Sequence, residues 1–121
     1  MTRVLVTGSR TWEDANTIYY AFRDWWFHTG KPDKPILVSG NCPKGADALA
    51  EMVWERNGWP VERHPADWNT HGRSAGFKRN LEMVESQPEL LFAFIRDKSK
   101  GATHTLRLAE KAGIPTLLYE M

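Results

Sequence analysis

Four short segments of the chain combine glycine and other small residues, and most of them also carry Lys or Arg, the residue types that bind phosphate groups. They cover residues 8–12, 39–45, 65–72 and 96–101. Together they contain five basic and two acidic residues, whereas the whole chain of 121 residues has a formal net charge of only +1. Glycine lets the backbone approach an anion closely, and free N–H groups at a helix start bind it. We therefore expect these segments to form one anion-binding site.

Residues 39–45 (Ser-Gly-Asn-Cys-Pro-Lys-Gly) are the strongest single candidate for a phosphate loop. Gly40 and Gly45 permit a close backbone approach, and Lys44 supplies a mobile cation just before a helix. The segment is not a Walker A loop because no Gly-Lys-Ser/Thr ends it, and residues 7–10 do not follow the GxGxxG pattern. Ordinary turn geometry explains glycines in such loops equally well, so each segment alone leaves both interpretations open.

Short apolar runs alternate with amphipathic patterns along the chain. Candidate strands cover residues 4–6, 36–38, 60–64, 90–95 and 116–119. Candidate helices cover residues 18–26, 46–54, 73–86 and 102–112. This alternation predicts right-handed crossovers and a parallel sheet with helices on both faces. The predicted fold class is therefore α/β, a Rossmann-like three-layer α/β/α domain whose five-stranded parallel sheet has the order 3-2-1-4-5. Residues 1–121 are expected to form this single domain, with ligands bound at the carboxyl ends of the strands.

Composition argues against several classes of function. The 16 Lys and Arg residues are nearly balanced by 15 Asp and Glu residues, which disfavours a nucleic-acid binder that uses its whole surface. Cys42 is the only cysteine, so an intramolecular disulfide and a cysteine-rich zinc cluster are excluded. His64, His71 and His104 match no zinc template, and we expect neither a metal nor a cofactor. Because Leu90–Ile95 is the longest apolar run and no signal-peptide pattern is present, we expect a cytoplasmic protein without a membrane partner.

Four motifs, read together and in order, cover nearly the whole chain. The first is Val-Thr-Gly-Ser-Arg at residues 6–10, and the second joins Ser-Gly at 39–40 to Lys-Gly-Ala-Asp-Ala-Leu-Ala at 44–50. The third runs from Ala-Asp-Trp at 66–68 to Ala-Gly at 75–76 and Arg-Asn at 79–80, and the fourth is Lys-Gly-Ala-Thr at 100–103. This series resembles the YspA/YpsA-related branch of the SLOG superfamily. That superfamily includes the LOG-type cytokinin-activating phosphoribohydrolases and the DprA-like DNA-processing proteins.

The resemblance implies a Rossmann-like fold that binds nucleotides or their derivatives, as several members do in sensor or signal-linked modules of bacterial and phage conflict systems. It also implies ligand contacts at the motif positions. These are Gly8, Ser9, Arg10, Gly40, Lys44, Gly45, Asp47, Arg79, Asn80, Lys100, Gly101 and Thr103. Asp67 and Trp68 of the third motif complete the set of candidate ligand-binding residues.

Two departures from the family pattern bear on activity. The loop at residues 39–45 is longer and poorer in glycine than is usual. The LOG-type enzymes carry Pro-Gly-Gly-x-Gly-Thr-x-x-Glu, whose Glu is tied to glycosidic cleavage, and residues 98–105 contain neither Pro-Gly-Gly nor a matching Glu. We therefore predict that the chain does not hydrolyse nucleoside 5′-monophosphates as these enzymes do, and we assign no catalytic residue.

Several candidate residues also have ordinary structural interpretations. Asp47 suits the first turn of a helix as well as a ribose contact. Arg10 follows a buried strand at a turn, which favours an anionic ligand over a structural role. Arg79 fits a surface position and a ligand contact equally. Asn80 is expected to face a place where another backbone segment or a ligand comes close to the helix. Trp68 could stack on a base, but an aromatic side chain in a small domain more often packs in the core or covers it.

Trp25, Trp26 and Phe27 end the first predicted helix with three aromatic residues in succession. Adjacent helical positions diverge by about 100°, so these side chains cannot all face one core. At least one is expected at the surface or at a contact between subunits, which makes homo-oligomerisation an expectation.

Three functions remain open from the sequence. The favoured one is a non-enzymatic module that binds a nucleotide-derived small molecule as a sensor, sponge or regulator. The second is a hydrolase of an N-glycosidic or phosphate bond in a nucleotide, with Asp47, Asp67 or Glu51 as acid or base. The third, a DprA-like binder of single-stranded DNA, is disfavoured by the charge balance.

Overall fold

Five parallel strands form the central sheet of the computed structural model, which describes residues 2–121. They are β1 (Arg3–Gly8), β2 (Ile36–Ser39), β3 (Val61–Arg63), β4 (Leu90–Ile95) and β5 (Thr116–Glu120). Their order in the sheet is β3-β2-β1-β4-β5, which confirms the predicted Rossmann-like topology. The chain runs outward from β1 in one direction and from β4 in the other, and such a reversal opens a crevice at the carboxyl ends of the strands.

Helices cover both faces of this sheet. They are α1 (Ala15–His28), α2 (Ala46–Arg56), α3 (Trp68–His71), α4 (Ala75–Glu85) and α5 (Lys100–Lys111). The helices α1 and α2 pack together on one face, and α4 and α5 pack together on the other. Within residues 2–121 none of the helices has both the length and the apolar character needed to cross a membrane.

Alternate residues of the central strands supply two separate cores. Val4 and Val6 of β1 face α1 and α2, where they belong to one cluster with Phe22 and Trp54. Leu5 points to the opposite face and packs in the cluster of α4 and α5. Because successive side chains of a strand point to opposite faces, a strand between two helical layers is apolar at every position. This burial explains the continuous apolar runs in the sequence.

The helix α3 corrects one expectation. The sequence predicts a loop over residues 65–72, yet Trp68–His71 forms a single helical turn. The carboxylate of Asp67 precedes the turn and accepts a hydrogen bond from the backbone N–H of Thr70 (3.1 Å). That bond satisfies one of the free N–H groups at the helix start. A single turn is too short to show the helical period from which the longer helices were predicted.

Two of the three aromatic residues that end α1 are packed into the protein. The ring of Trp25 stacks on Trp54 with centroids 6.0 Å apart. Trp26 packs against Trp59 (5.5 Å), and its indole N–H donates a hydrogen bond to the carbonyl of Pro32 (2.9 Å). Phe27 is 49% exposed. A self-association surface at this end of α1, which stays a prediction, therefore depends on Phe27 rather than on the indoles.

Candidate functional site

A cavity of about 410 Å³ lies beyond the carboxyl ends of β1, β2 and β4, where the strand order reverses. Eight of the residues predicted for the site line it, namely Gly8, Ser9, Arg10, Gly40, Asp47, Arg79, Asn80 and Gly101. The lining also includes residues of the predicted segments that are not in the set of candidate ligand-binding residues, among them Thr11, Cys42, Arg96, Asp97 and Ser99. The cavity thus joins the loops after three strands with side chains of α4 and the first turn of α5.

The first loop of the cavity is held against β4. A Cβ atom on Gly8 would overlap the Cβ of Ala46 and lie 2.6 Å from the carbonyl oxygen of Phe94, so no other residue fits there. The hydroxyl of Ser9 donates to the carbonyl of Arg96 (2.9 Å) and accepts from its N–H (2.8 Å). Ser9 is buried, and its side chain serves to tie the loops after β1 and β4 together.

Gly45 locks the start of α2 onto the first loop. It adopts φ +80 and ψ −149, a combination that is accessible in practice only to glycine. A Cβ atom at this position would overlap the carbonyl oxygen of Ser9 and the Cα of Arg10. The N–H of Ala46 also donates to the carbonyl of Ser9 (3.1 Å). Gly45 therefore positions α2, and it does not itself line the cavity.

Arg79 and Asp47 converge on the backbone of Gly40. The guanidinium of Arg79 donates to the carbonyl of Gly40 (2.5 Å). A Cβ atom on Gly40 would lie 2.7 Å from Nη1 of Arg79 and 3.1 Å from Oδ2 of Asp47. The absence of a side chain at Gly40 therefore makes room for an arginine from α4 and a carboxylate from α2 on one wall of the cavity. Arg79 therefore lies in the cavity wall and not at the outer surface, and its contact with a ligand stays a prediction.

Asp47 is a buried carboxyl group in the cavity wall. Burial raises its pKa to about 6, although a hydrogen bond from the N–H of Cys42 (3.4 Å) and the positive charge of Arg79 both act to lower it. Burial, with the nearby Asp47, also raises the pKa of the Cys42 thiol, which disfavours a reactive thiolate. The helix α2 has no side-chain cap at its start, so Asp47 binds the preceding loop rather than the N–H groups of its own helix.

Asn80 is buried beside Arg79 and fixes its orientation. Its side-chain oxygen accepts from Nε of Arg79 (2.9 Å), and its amide nitrogen lies 3.3 Å from Nδ1 of His104 on α5. The imidazole of His104 is held in turn by the ring of Phe77, at 4.6 Å between centroids. Asn80 therefore links α4 to α5 and aims the guanidinium of Arg79 along the cavity wall.

The loop after β4 forms the opposite side of the cavity. Arg96 reaches across it and donates to the carbonyl of Thr11 (3.0 Å), with Asp97 3.7 Å from its Nε. Asp97 and Lys98 have positive φ values of 56° and 51°, so the loop turns sharply before α5. Ser99 precedes α5 without forming a side-chain cap. Arg96 is one of the five basic residues in the predicted loops, but no sequence motif indicates it as a site residue.

The remaining candidate residues lie outside the cavity lining. Lys44 is exposed on the loop before α2. Asp67 is exposed and caps α3, and the hydrogen bonds from Thr70 lower its pKa. Trp68 is 52% exposed, with its ring edge beside Gly76 rather than in the cavity. Lys100 and Thr103 line a separate depression between α5 and β5.

The arrangement is suited to holding an anion. Three arginine residues, Arg10, Arg79 and Arg96, line the cavity together with two acidic residues, Asp47 and Asp97. Because burial raises the pKa of Asp47 to about 6, its carboxyl takes up a proton more readily near neutral pH than an ordinary aspartate does. Among residues 2–121 no group of three or more His, Cys, Asp and Glu side chains is placed to hold a metal ion.

Comparison with known proteins agrees with the resemblance seen in the motifs. A family model described as the YspA, cpYpsA-related SLOG family matches residues 2–71, more than half of the chain. The chain belongs to the YspA, cpYpsA-related SLOG family. It is also similar to the Gene 61 protein of Mycobacterium phage D29, with 40% identity over 122 residues that cover 97% of this chain and 95% of the phage protein. No solved structure matches the chain.

Membership of this SLOG family associates the chain with nucleotide-related ligands at a coarse level. The matched region contains the cavity residues of the first two loops, Gly8 to Arg10 and Gly40 to Asp47. It ends before α4, so Arg79 and Arg96 contribute cations to the cavity from outside the matched region.

Proposed function

We propose that the chain binds a nucleotide or nucleotide-derived phosphate ligand in the cavity above β1 and β4, as a sensor, sponge or regulatory module. The observation that carries the proposal is that Arg10, Arg79 and Arg96 reach one cavity from three different elements. Three positive charges around one cavity repel each other, and a phosphate group supplies the negative charge and the acceptor oxygens that offset this repulsion. A volume of about 410 Å³ lies in the range of small-molecule sites.

The two ends of such a ligand find different partners. The phosphate group lies against the first turn of α5, where Ser99 and Gly101 line the cavity and no side chain caps the helix. Free N–H groups and the positive end of the helix dipole stabilise an anion there, and Arg10 and Arg96 neutralise it. The nucleoside part faces Asp47, Arg79 and Asn80, which offer both acceptors and donors.

Replacement of one cavity arginine tests this arrangement. Arg10 is exposed, and a charge-assisted hydrogen bond to phosphate is worth about 1.5–3 kcal/mol, so Arg10→Ala should weaken binding about ten- to a hundredfold. Its free energy of unfolding should stay within about 0.5 kcal/mol of the wild type, as is usual for an exposed loop residue. Isothermal titration with nucleoside mono-, di- and triphosphates, ADP-ribose and cyclic dinucleotides measures the affinity, and urea unfolding measures the stability.

Arg56→Ala is the matched control, because Arg56 is an exposed arginine at the end of α2 and does not line the cavity. It should leave the affinity for every nucleotide unchanged. If no phosphate-containing compound in the panel binds, or if Arg10→Ala and Arg56→Ala weaken binding equally, the proposed function is wrong.

A hydrolase is the second candidate, and one observation favours it. Asp47 combines a place in the cavity with a pKa raised to about 6, which suits a group that exchanges a proton near neutral pH. The other two acids considered are less suited to this role. Glu51 accepts from Ser39 (2.7 Å) and pairs with Arg63 (2.8 Å) outside the cavity, and Asp67 caps α3. Chromatography of the nucleotide panel after incubation separates the two functions, since binding alone leaves every compound intact.

A further inference from the structure

The two edges of the sheet differ in how they meet solvent. The edge strand β3 has only three residues, Val61–Arg63, and lies between Pro60 and Pro65. Its charged side chains form ion pairs, with Glu62 bound to Arg3 (2.6 Å) and Arg63 bound to Glu51 (2.8 Å). Short length, proline and charge are the features that protect an edge strand from pairing with another chain.

The edge strand β5 is less protected, because it has five residues and its one adjoining proline, Pro115, lies before the strand. Its sequence is Thr-Leu-Leu-Tyr-Glu, with its only charged side chain at the final position. Leu117 is 40% exposed and Leu118 is 45% exposed, although they point to opposite faces of the sheet. Apolar side chains therefore remain in contact with solvent on both sides of the outer edge.

The backbone of β5 also presents a row of outward hydrogen-bonding groups. The carbonyl of Pro115 accepts a hydrogen bond from the N–H of Leu91 in β4 (2.9 Å). The N–H of Met121 donates a hydrogen bond to the carbonyl of Ile95, also in β4 (3.1 Å). Parallel strands alternate residues that bond to one neighbour with residues that face the other way. The N–H and C=O groups of Thr116, Leu118 and Glu120 consequently point away from β4.

We propose that β5 pairs with β5 of a second copy of this chain, in an antiparallel arrangement centred on Leu118 that joins two five-stranded sheets into one. The strand is complementary to itself in this register. The two copies of Leu118 lie opposite each other, Leu117 lies opposite Tyr119, and Thr116 lies opposite Glu120. The outward N–H and C=O groups of all three even-numbered residues then find partners.

Charge is compatible with the same register. Glu120 of each copy meets Thr116, so no like charges are placed directly opposite each other along the strand pair. Beside Leu118, the depression between α5 and β5 is rimmed by Lys98, Lys100 and Arg107, with Glu120 its only acidic residue. In this register the Glu120 carboxylate of the second copy lies opposite Thr116, on the face of the sheet that α5 covers. An antiparallel two-fold pairing also closes the assembly at two copies, because each copy contributes its one β5 edge and both edges are then covered.

Analytical ultracentrifugation of the full chain tests the proposal. The wild type should form dimers as its concentration rises. Leu118→Lys should raise the dimer dissociation constant about a hundredfold, because both copies of the new charge meet at the two-fold axis. The matched control is Met52→Lys on α2, which also replaces a partly exposed apolar residue (39% exposed) but should leave the dissociation constant unchanged.

A second variant covers the case in which Leu118→Lys does not fold. Leu118→Pro removes an outward N–H and keeps the bonds to β4, so it should prevent dimer formation while thermal unfolding stays cooperative. A monomeric wild type at its highest soluble concentration would overturn the proposal. So would a dimer that persists in both Leu118 variants but is lost in Phe27→Lys, since that result would place the contact at the end of α1.

Discussion

The cavity has two halves that use glycine in different ways. The packed half consists of residues 8–10 and 39–47, and the open half consists of residues 96–101. In the packed half, a Cβ atom on Gly8, Gly40 or Gly45 would meet other protein atoms at 2.7 Å or less. In the open half, a Cβ atom on Gly101 would have no neighbour within 4 Å. The same residue type is thus required by the fold on one side and leaves space on the other.

This difference separates two meanings of a glycine-rich loop. The glycines of the packed half let α2 and α4 approach β1 and β2, so their replacement should affect stability before it affects any ligand. The open half has no such packing, and two non-glycine residues, Asp97 and Lys98, adopt positive φ there. Asn41 in the packed half also has a positive φ (58°), so the packing around the glycines, and not the backbone conformation, distinguishes the two halves. The contrast predicts opposite outcomes for the same substitution in the two halves.

The largest effect is expected in the packed half. Gly45→Val should destabilise the fold by about 3–5 kcal/mol, because a branched side chain cannot adopt φ +80 and ψ −149 and would overlap the backbone of Ser9 and Arg10. Urea unfolding measures the loss. Gly58→Val is the control, since Gly58 has a similar φ of +76 but no atom near its Cβ position, so it should lose only about 1–2 kcal/mol. Equal losses in the two variants would show that Gly45 is not held by packing.

A smaller effect is expected at Asp47, which lies in the packed half beside Gly40. Burial raises the pKa of its carboxyl from the ordinary value of 3.8 to about 6. Below pH 4 the carboxyl is protonated in both states and has no effect. Between about pH 4 and pH 6 the unfolded chain loses the proton while the folded chain keeps it, so stability falls as pH rises, and above pH 6 the penalty is constant.

Asp47→Asn removes this penalty and keeps an oxygen that accepts from the N–H of Cys42. Its stability advantage over the wild type should grow from pH 4 to pH 6 and then stay level, reaching at most about 3 kcal/mol. Thermal unfolding across this pH range measures it. Asp33→Asn, at an exposed loop position, should not change the pH profile. An advantage that is the same at pH 4 and pH 7 would contradict the raised pKa of Asp47.

Most of the fold could be predicted from the spacing of apolar residues, because strands buried on both faces and helices of three or more turns leave long regular patterns in the sequence. The prediction failed at α3, where one turn held by Asp67 leaves no pattern. The site was less accessible to sequence reasoning. Lys44 precedes α2 just as a phosphate-loop lysine would, yet the docking of Gly45 onto Ser9 leaves it outside the cavity lining.

Arg96 illustrates the opposite case, a cavity residue that no motif indicates. Its guanidinium donates a hydrogen bond to the carbonyl of Thr11, 85 residues away in sequence. The hydroxyl of Ser9 forms hydrogen bonds with the backbone carbonyl and N–H of Arg96, which fix its position. Such long-range contacts depend on how β1 and β4 pair, and no local pattern in residues 96–101 encodes them. The sequence therefore located three of the segments that line the cavity, residues 8–12, 39–45 and 96–101, but not which of their side chains do so, and residues 65–72 contribute none.

The smallest effect on stability, and the sharpest test of the open half, is expected for Gly101→Val. Gly101 lies in the first turn of α5 with an exposed backbone and free space at its Cβ position, so the free energy of unfolding should change by about 0.5 kcal/mol or less. The affinity for a phosphate ligand should nevertheless fall about tenfold or more, because the branched side chain enters the space through which the N–H groups of α5 approach the anion. Titration and urea unfolding of the same sample separate the two quantities. Thr103→Val, two residues further along α5 and outside the cavity lining, is the control and should bind as the wild type does. Unchanged affinity in Gly101→Val would mean that the ligand does not contact the start of α5, and loss of stability as large as in Gly45→Val would remove the distinction between the two halves.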